Sequence, residues 1–171
     1  LLLFFAGCVA TGIFGIGRKI PMNRVNDLGQ REGYWRDSVG GGFVYDLYYK
    51  GGKKDGLYKR FYRNKLFLFG EYTADNISGT WYMFGDEGEL RCTIDSIELN
   101  KDSIYTGYCR IFCKYKCHSI DYYPSGAVKS EGYMVCDEEF EIEIWEIGEW
   151  KYYDESGNLI KTKDYGDRRT P

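Results

Sequence analysis

GEWKYYDESGNLIKTKDYG, residues 148–166, contains the pattern of one complete β-hairpin. It opens with Gly-x-Trp, places a second aromatic residue at Tyr153, and resumes an apolar pattern at Leu159 after a polar stretch. Aromatic residues favour the pleated surface of a strand, and Gly157 supplies the positive φ that a tight turn requires. The stretch therefore predicts two antiparallel strands joined by a short turn.

Both halves of this hairpin recur along the chain. The first three copies of Gly-x-aromatic begin at regular intervals of 23 residues, and the four copies are Gly33-Tyr34-Trp35, Gly56-Leu57-Tyr58, Gly79-Thr80-Trp81 and Gly148-Glu149-Trp150. The turn half, aromatic-x-x-x-Gly-x-aliphatic, occurs three times, with its glycine at Gly88, Gly126 and Gly157. Arg63-Asn64 is a shorter turn in which Asn64 can take the left-handed conformation. Such periodicity is typical of a repeat protein, and its unit here is one hairpin.

The composition agrees with an all-β fold. Of the 171 residues 22 are glycine and 18 % are aromatic, which suits many strands joined by tight turns. A single hairpin cannot bury its aromatic face alone, so we expect an elongated antiparallel sheet of successive β-hairpin repeats over residues 21–166. An anchor and linker at 1–20 would precede it, and a flexible tail at 167–171 would follow. The net charge of −3 argues against a general nucleic-acid binder.

Two stretches carry a family resemblance. Residues 148–166 and DYYPSGAVKSEGY, residues 121–133, resemble the MORN-repeat variant family, bacterial relatives of the membrane occupation and recognition nexus repeat. The resemblance runs from about Gly29 to Gly166 and is strongest in the last copy. The first copy departs from the pattern, since no second aromatic residue follows Trp35 at the expected place. The resemblance implies a sheet used for binding, with no catalytic residues, and members are often labelled antitoxins.

The first residues form a different kind of segment, without a charge until Arg18. Residues 3–8, LFFAGC, look like the end of a bacterial lipoprotein signal, in which small residues precede a cysteine. The chain is cleaved just before this cysteine, and its thiol carries the lipid. Cys8 is therefore the predicted lipidation site, and the membrane is a predicted partner. Two alternatives stay open at this point. The segment could be the end of a transmembrane helix flanked by Arg18 and Lys19, or a buried element of the domain.

A cysteine-rich stretch, CRIFCKYKCH at residues 109–118, raises the question whether the protein has a metal site or a reactive thiol. The alternation of apolar residues favours a strand, and residues four apart on a strand are separated by roughly 13 Å. Thiolates on one zinc ion lie within about 4 Å of each other. Neighbouring cysteines among Cys109, Cys113 and Cys117 therefore cannot share a metal. Cys117 and His118 would point to opposite faces, which excludes a catalytic dyad.

The cysteine stretch is instead expected to fill the core. Gly107–Phe112 aligns with Gly79–Phe84, and this alignment puts Cys109 in the position of Trp81. A cross-strand bridge between Cys136 and one of the three cysteines is possible if the domain is exported to an oxidising compartment.

These patterns predict a membrane-anchored, non-enzymatic β-repeat binding protein of the bacterial envelope with a protein partner. They predict no metal, cofactor or small-molecule substrate. The alternative is a cytoplasmic antitoxin or immunity protein that neutralises a partner toxin. A third reading, an envelope enzyme that uses carboxylates, finds no pair of acidic residues singled out by spacing.

Overall fold

The computed structural model describes residues 21–101, 113–137 and 144–166, and within them the chain forms strands and no helix. Each strand pairs antiparallel with the next, so the order in the sheet is the order in the chain. The strands are β1 Arg24–Val25, β2 Arg31–Ser38, β3 Phe43–Lys50, β4 Lys53–Tyr62, β5 Lys65–Thr73, β6 Asn76–Phe84, β7 Leu90–Leu99, β8 Tyr115–Tyr122, β9 Val128–Cys136, β10 Ile144–Tyr153 and β11 Leu159–Asp164. The predicted all-β sheet of successive hairpins is confirmed.

The predicted turn motif forms one recurring five-residue turn. In residues 154–158 the Asp154 amide donates to the Asn158 carbonyl, and the Gly157 amide donates back to the Asp154 carbonyl. Gly157 has a φ of 83°, which explains why glycine occupies this position. The same pair of hydrogen bonds closes the turns at 85–89 and 123–127, and also one at 26–30 that the sequence analysis did not identify.

The Gly-x-aromatic motif forms a β-bulge. Around Gly79, strand β6 advances four residues, from Ser78 to Tyr82, while its partner β5 advances two, from Glu71 to Phe69. Gly79 has a φ of 66°, a conformation that a side chain would strain. Gly56 and Gly148 lie in equivalent register shifts on β4 and β10. Gly33 also has a positive φ, but it pairs in register with Tyr49, as expected for the divergent first copy.

The bulges place the motif aromatics in one row that crosses the core face of the sheet. Going from β2 to β11, cross-strand neighbours in this row are Trp35, Leu47, Tyr58, Gly70, Trp81, Ile94, Ser119, Gly132, Trp150 and Lys163. Trp81 and Trp150 are 1 % and 5 % exposed, so the aromatic residue is buried in both of these motif copies. We call this set the central row. It is the centre of a continuous cluster of buried residues that extends from β3 to β10.

Two glycines of the central row make room for the tryptophans. A Cβ atom added to Gly70 would lie 2.1 Å from the Trp81 ring, and one added to Gly132 would lie 2.5 Å from the Trp150 ring. Each indole therefore lies directly over the glycine of the preceding strand. The ring nitrogens remain satisfied, since Trp81 Nε1 donates to the Ser78 carbonyl at 3.1 Å and Trp150 Nε1 to the Tyr133 carbonyl at 2.8 Å.

Replacing Gly70 by alanine is predicted to destabilise the fold, because the new methyl group must displace a buried indole. The expected loss is roughly 1–3 kcal/mol of unfolding free energy, measured by urea denaturation. Gly85→Ala is the matched control, since Gly85 also lacks a positive φ and its Cβ would meet only the mobile end of the Glu89 side chain. Equal stability of the two variants would contradict the stacking of Trp81 on Gly70.

Candidate functional site

The aromatic pattern of the central row is interrupted in the hairpin β8–β9. Trp81 and Trp150 each lie three residues before the aromatic residue of the following turn motif. In β8 that aromatic is Tyr122, and the residue three positions before it is Ser119. The neighbours of Ser119 in the row are Ile94 and Gly132, so three adjacent strands present no aromatic side chain there.

A groove of about 800 Å³ lies over this interruption. Its floor includes Cys92, Ser119 and Asp121. One wall comes from β3–β5, with Phe43 and Phe67, and the other from β10, with Glu146, Trp150 and Tyr152. Because strands so distant in the sheet line one groove, the sheet is curled with its core face on the concave side.

The floor of the groove carries polar groups in an otherwise apolar setting. Ser130 Oγ donates to the Asp121 carboxylate at 2.8 Å, and Ser119 Oγ lies 3.3 Å from the Cys92 sulfur. The hydroxyls of Tyr152 and Tyr165 are 2.8 Å apart. Burial and this hydrogen bond raise the pKa of Tyr152, so its phenol stays neutral at physiological pH. The groove thus offers carboxylate acceptors and hydroxyl groups between aromatic walls.

The cysteine stretch forms a strand from Tyr115 onwards. Cys113, just before this strand, is buried, and Cys117 is buried on the core face with its Sγ 3.4 Å from Cys136 Sγ. His118 points to the other face, where its Nδ1 lies 3.5 Å from Asp95 Oδ1. The predicted opposition of Cys117 and His118 is confirmed. Within the described ranges, no group of three His, Cys, Asp or Glu side chains is placed to hold a metal ion.

Two sequence predictions fall outside the described residues, namely the lipidation site Cys8 and the placement of Cys109 in the position of Trp81. On β8, the position in the central row belongs to Ser119. The part of the chain that the structure describes contains no helix able to span a membrane.

The sequence analysis singled out the scaffold of the groove rather than its floor. Of the motif residues, Trp150 and the turn-motif aromatics Phe84 and Tyr122 line the groove, whereas the motif glycines form the bulges and turns. Ser119, Asp121, Ser130 and Glu146 were not identified. The sequence contained a signal for this site. The repeat places an aromatic residue three positions before the aromatic of the turn motif, and before Tyr122 this position is Ser119.

Comparison with protein-family models finds no matching family, and a search of curated proteins finds no significant match. The resemblance to the MORN-repeat variant family therefore rests on the motifs quoted above. The hairpin architecture agrees with what that resemblance implies for the fold.

The buried thiol of Cys92 gives a prediction about alkaline pH. Burial raises its pKa from 9.0 to about 12, so above pH 9 the unfolded chain ionises while the folded thiol stays protonated. The unfolded state then binds fewer protons, and stability falls as the pH rises. Between pH 8 and 10 the reduced wild-type protein should lose about 1 kcal/mol more unfolding free energy than Cys92→Ala. If the unfolding free energies of the two proteins differ by the same amount at pH 8 and at pH 10, the raised pKa of Cys92 is contradicted.

Proposed function

We propose that the protein is a non-enzymatic binding protein whose groove receives a segment of a partner protein. The observation that carries this proposal is the interruption of the central row at Ser119. A repeat that places Trp81 and Trp150 at this position has a small polar residue here, and the groove lies over it. The departure from the repeat costs buried apolar contact, which is consistent with selection for binding rather than for packing.

The size and lining of the groove favour a short peptide segment. A volume of about 800 Å³ is within the range of sites that hold drug-sized ligands, so it accommodates a few side chains but not a folded element. Aromatic walls at Trp150 and Tyr152 provide apolar contact area, and the carboxylates of Asp121 and Glu146 accept hydrogen bonds from backbone or side-chain donors. These groups give orientation and specificity to the bound segment.

Filling the groove should abolish binding. Peptides are selected from a displayed random library on the wild-type protein, and their affinities are measured by calorimetry. Ser119→Leu should bind the selected peptides at least tenfold more weakly, because its side chain occupies the floor. Thr162→Leu is the matched control, since Thr162 is exposed on β11 and faces away from Lys163 of the central row. It should bind like the wild type.

Equal affinities of wild type and Ser119→Leu would show that the selected peptides bind elsewhere. Because a substitution at a buried serine can impair folding, Glu146→Ala provides a second test on the half-buried wall of the groove. Thermal denaturation of each variant separates loss of binding from loss of the fold.

We place this binding protein in the bacterial envelope, held by a lipid on Cys8. The support is the sequence of residues 3–8, in which apolar and small residues precede the cysteine. The same groove would serve the alternative function, neutralisation of a toxin in the cytoplasm, which is supported by the label often given to MORN-repeat variant proteins. The two functions differ in location and not in the binding surface.

Lipidation is tested with the full-length protein carrying its native leader. It should partition into the detergent phase, and Cys8→Ser should move it to the aqueous phase because the acceptor thiol is removed. Detergent partitioning that persists in the variant would favour a spanning helix. An aqueous wild-type protein would favour the cytoplasmic alternative.

A further inference from the structure

Two buried cysteines face each other across neighbouring strands, Cys117 on β8 and Cys136 on β9. Cys117 pairs with Met134 and Cys136 pairs with Tyr115, so the two cysteines are diagonal neighbours on the core face. Both side chains are fully buried, and their sulfurs are 3.4 Å apart. A disulfide bond needs the sulfurs to approach by a further ~1.4 Å. Because the Cα atoms of diagonal neighbours lie about 7–8 Å apart, the two strands must also shift slightly towards each other for the bond to form.

We propose that Cys117 and Cys136 form a disulfide bond that ties β8 to β9 beneath the groove. Cys92, the buried cysteine that lines the groove, has its sulfur against the Ser119 hydroxyl. The proposal does not depend on the binding role of the groove. It adds a site of covalent modification to the strand pair that carries Ser119 and Asp121.

The bond forms by exchange with an organic disulfide, either a small molecule or the active disulfide of a thiol oxidoreductase. One cysteine thiolate attacks the oxidant, giving a mixed disulfide and releasing one thiol. The second cysteine thiolate then attacks the cysteine sulfur of the mixed disulfide and releases the second thiol. The pair loses two protons and two electrons, and the oxidant is reduced to two thiols.

The structure also indicates at which stage of folding the disulfide bond forms. The hydrogen bond with Cys117, together with burial, raises the pKa of Cys136, so the folded pair holds little of the reactive thiolate. No part of either side chain is accessible to an oxidant in the folded sheet. The exchange therefore takes place while the hairpin β8–β9 is still forming, and the finished bond is shielded from reductants. This requires an oxidising compartment during folding.

The test is refolding of the reduced, denatured full chain in a mixture of oxidised and reduced glutathione, with dithiothreitol as the reducing control. Trypsin cleaves after Lys116, Lys129 and Lys151, so Cys117 and Cys136 fall in separate peptides that contain no other cysteine. Mass spectrometry without reduction should detect these two peptides linked in the glutathione sample only. The oxidised protein should melt roughly 5–10 °C higher than the reduced one.

Two variants complete the design. Cys117→Ser should lose the linked peptide and the increase in melting temperature, whereas Cys92→Ser, the control at another buried cysteine, should keep both. The tryptic peptides of the wild-type protein decide the question by themselves, so the test stays valid even if Cys117→Ser fails to fold. Free thiols at Cys117 and Cys136 after refolding in glutathione, or linkage of either to another cysteine, would overturn the proposal.

Discussion

The stacking of an indole over a glycine is the contact on which the rest of this structure depends. Most domains bury a sheet against a second layer, but the described residues form a single sheet, so its aromatic face must be covered by its own side chains. A ring as large as that of Trp81 fits only because the facing residue, Gly70, has no side chain. The bulge at Gly79 brings the ring to this place, and the curl of the sheet closes the concave side over it.

The same contact explains why the groove lies where it does. Trp81 lies over Gly70 on the strand before it, β5, and Trp150 lies over Gly132 on β9, so the interval of the central row at Ile94 and Ser119 carries no aromatic side chain. Small and polar groups occupy this interval, among them Ser119 and Cys92. A flexible floor would weaken any binding site built there, because ordering it on binding costs free energy. A covalent link between β8 and β9 would reduce that cost, since it restrains the hairpin that forms the floor.

Sequence reasoning succeeded where the determining interactions are local. The turn at Gly157 and the bulge at Gly79 are set by backbone conformation within a few residues, and glycine marks both. Sequence reasoning failed for residues whose role depends on a contact with a residue on another strand. Gly70 and Gly132 have no positive φ, and their role appears only when the fold of the sheet places each beneath a tryptophan. The floor at Ser119 was missed for the same reason, because it is recognised by comparison between strands.

Cationic side chains lie over aromatic rings at both ends of the aromatic face and also along the walls of the groove. At the β2 end, the Arg31 guanidinium lies 4.4 Å from the centre of the Trp35 ring. At the β11 end, Lys163 Nζ lies 3.8 Å from the centre of the Tyr165 ring, and the lysine stem extends along the apolar surface. Charged side chains at sheet edges also oppose pairing with further strands. The groove walls are covered in the same way, since the Arg60 guanidinium lies 4.4 Å from the centre of the Phe43 ring and Lys161 Nζ lies 5.5 Å from that of Tyr152. A partner segment in the groove therefore meets cations together with half-buried aromatic rings.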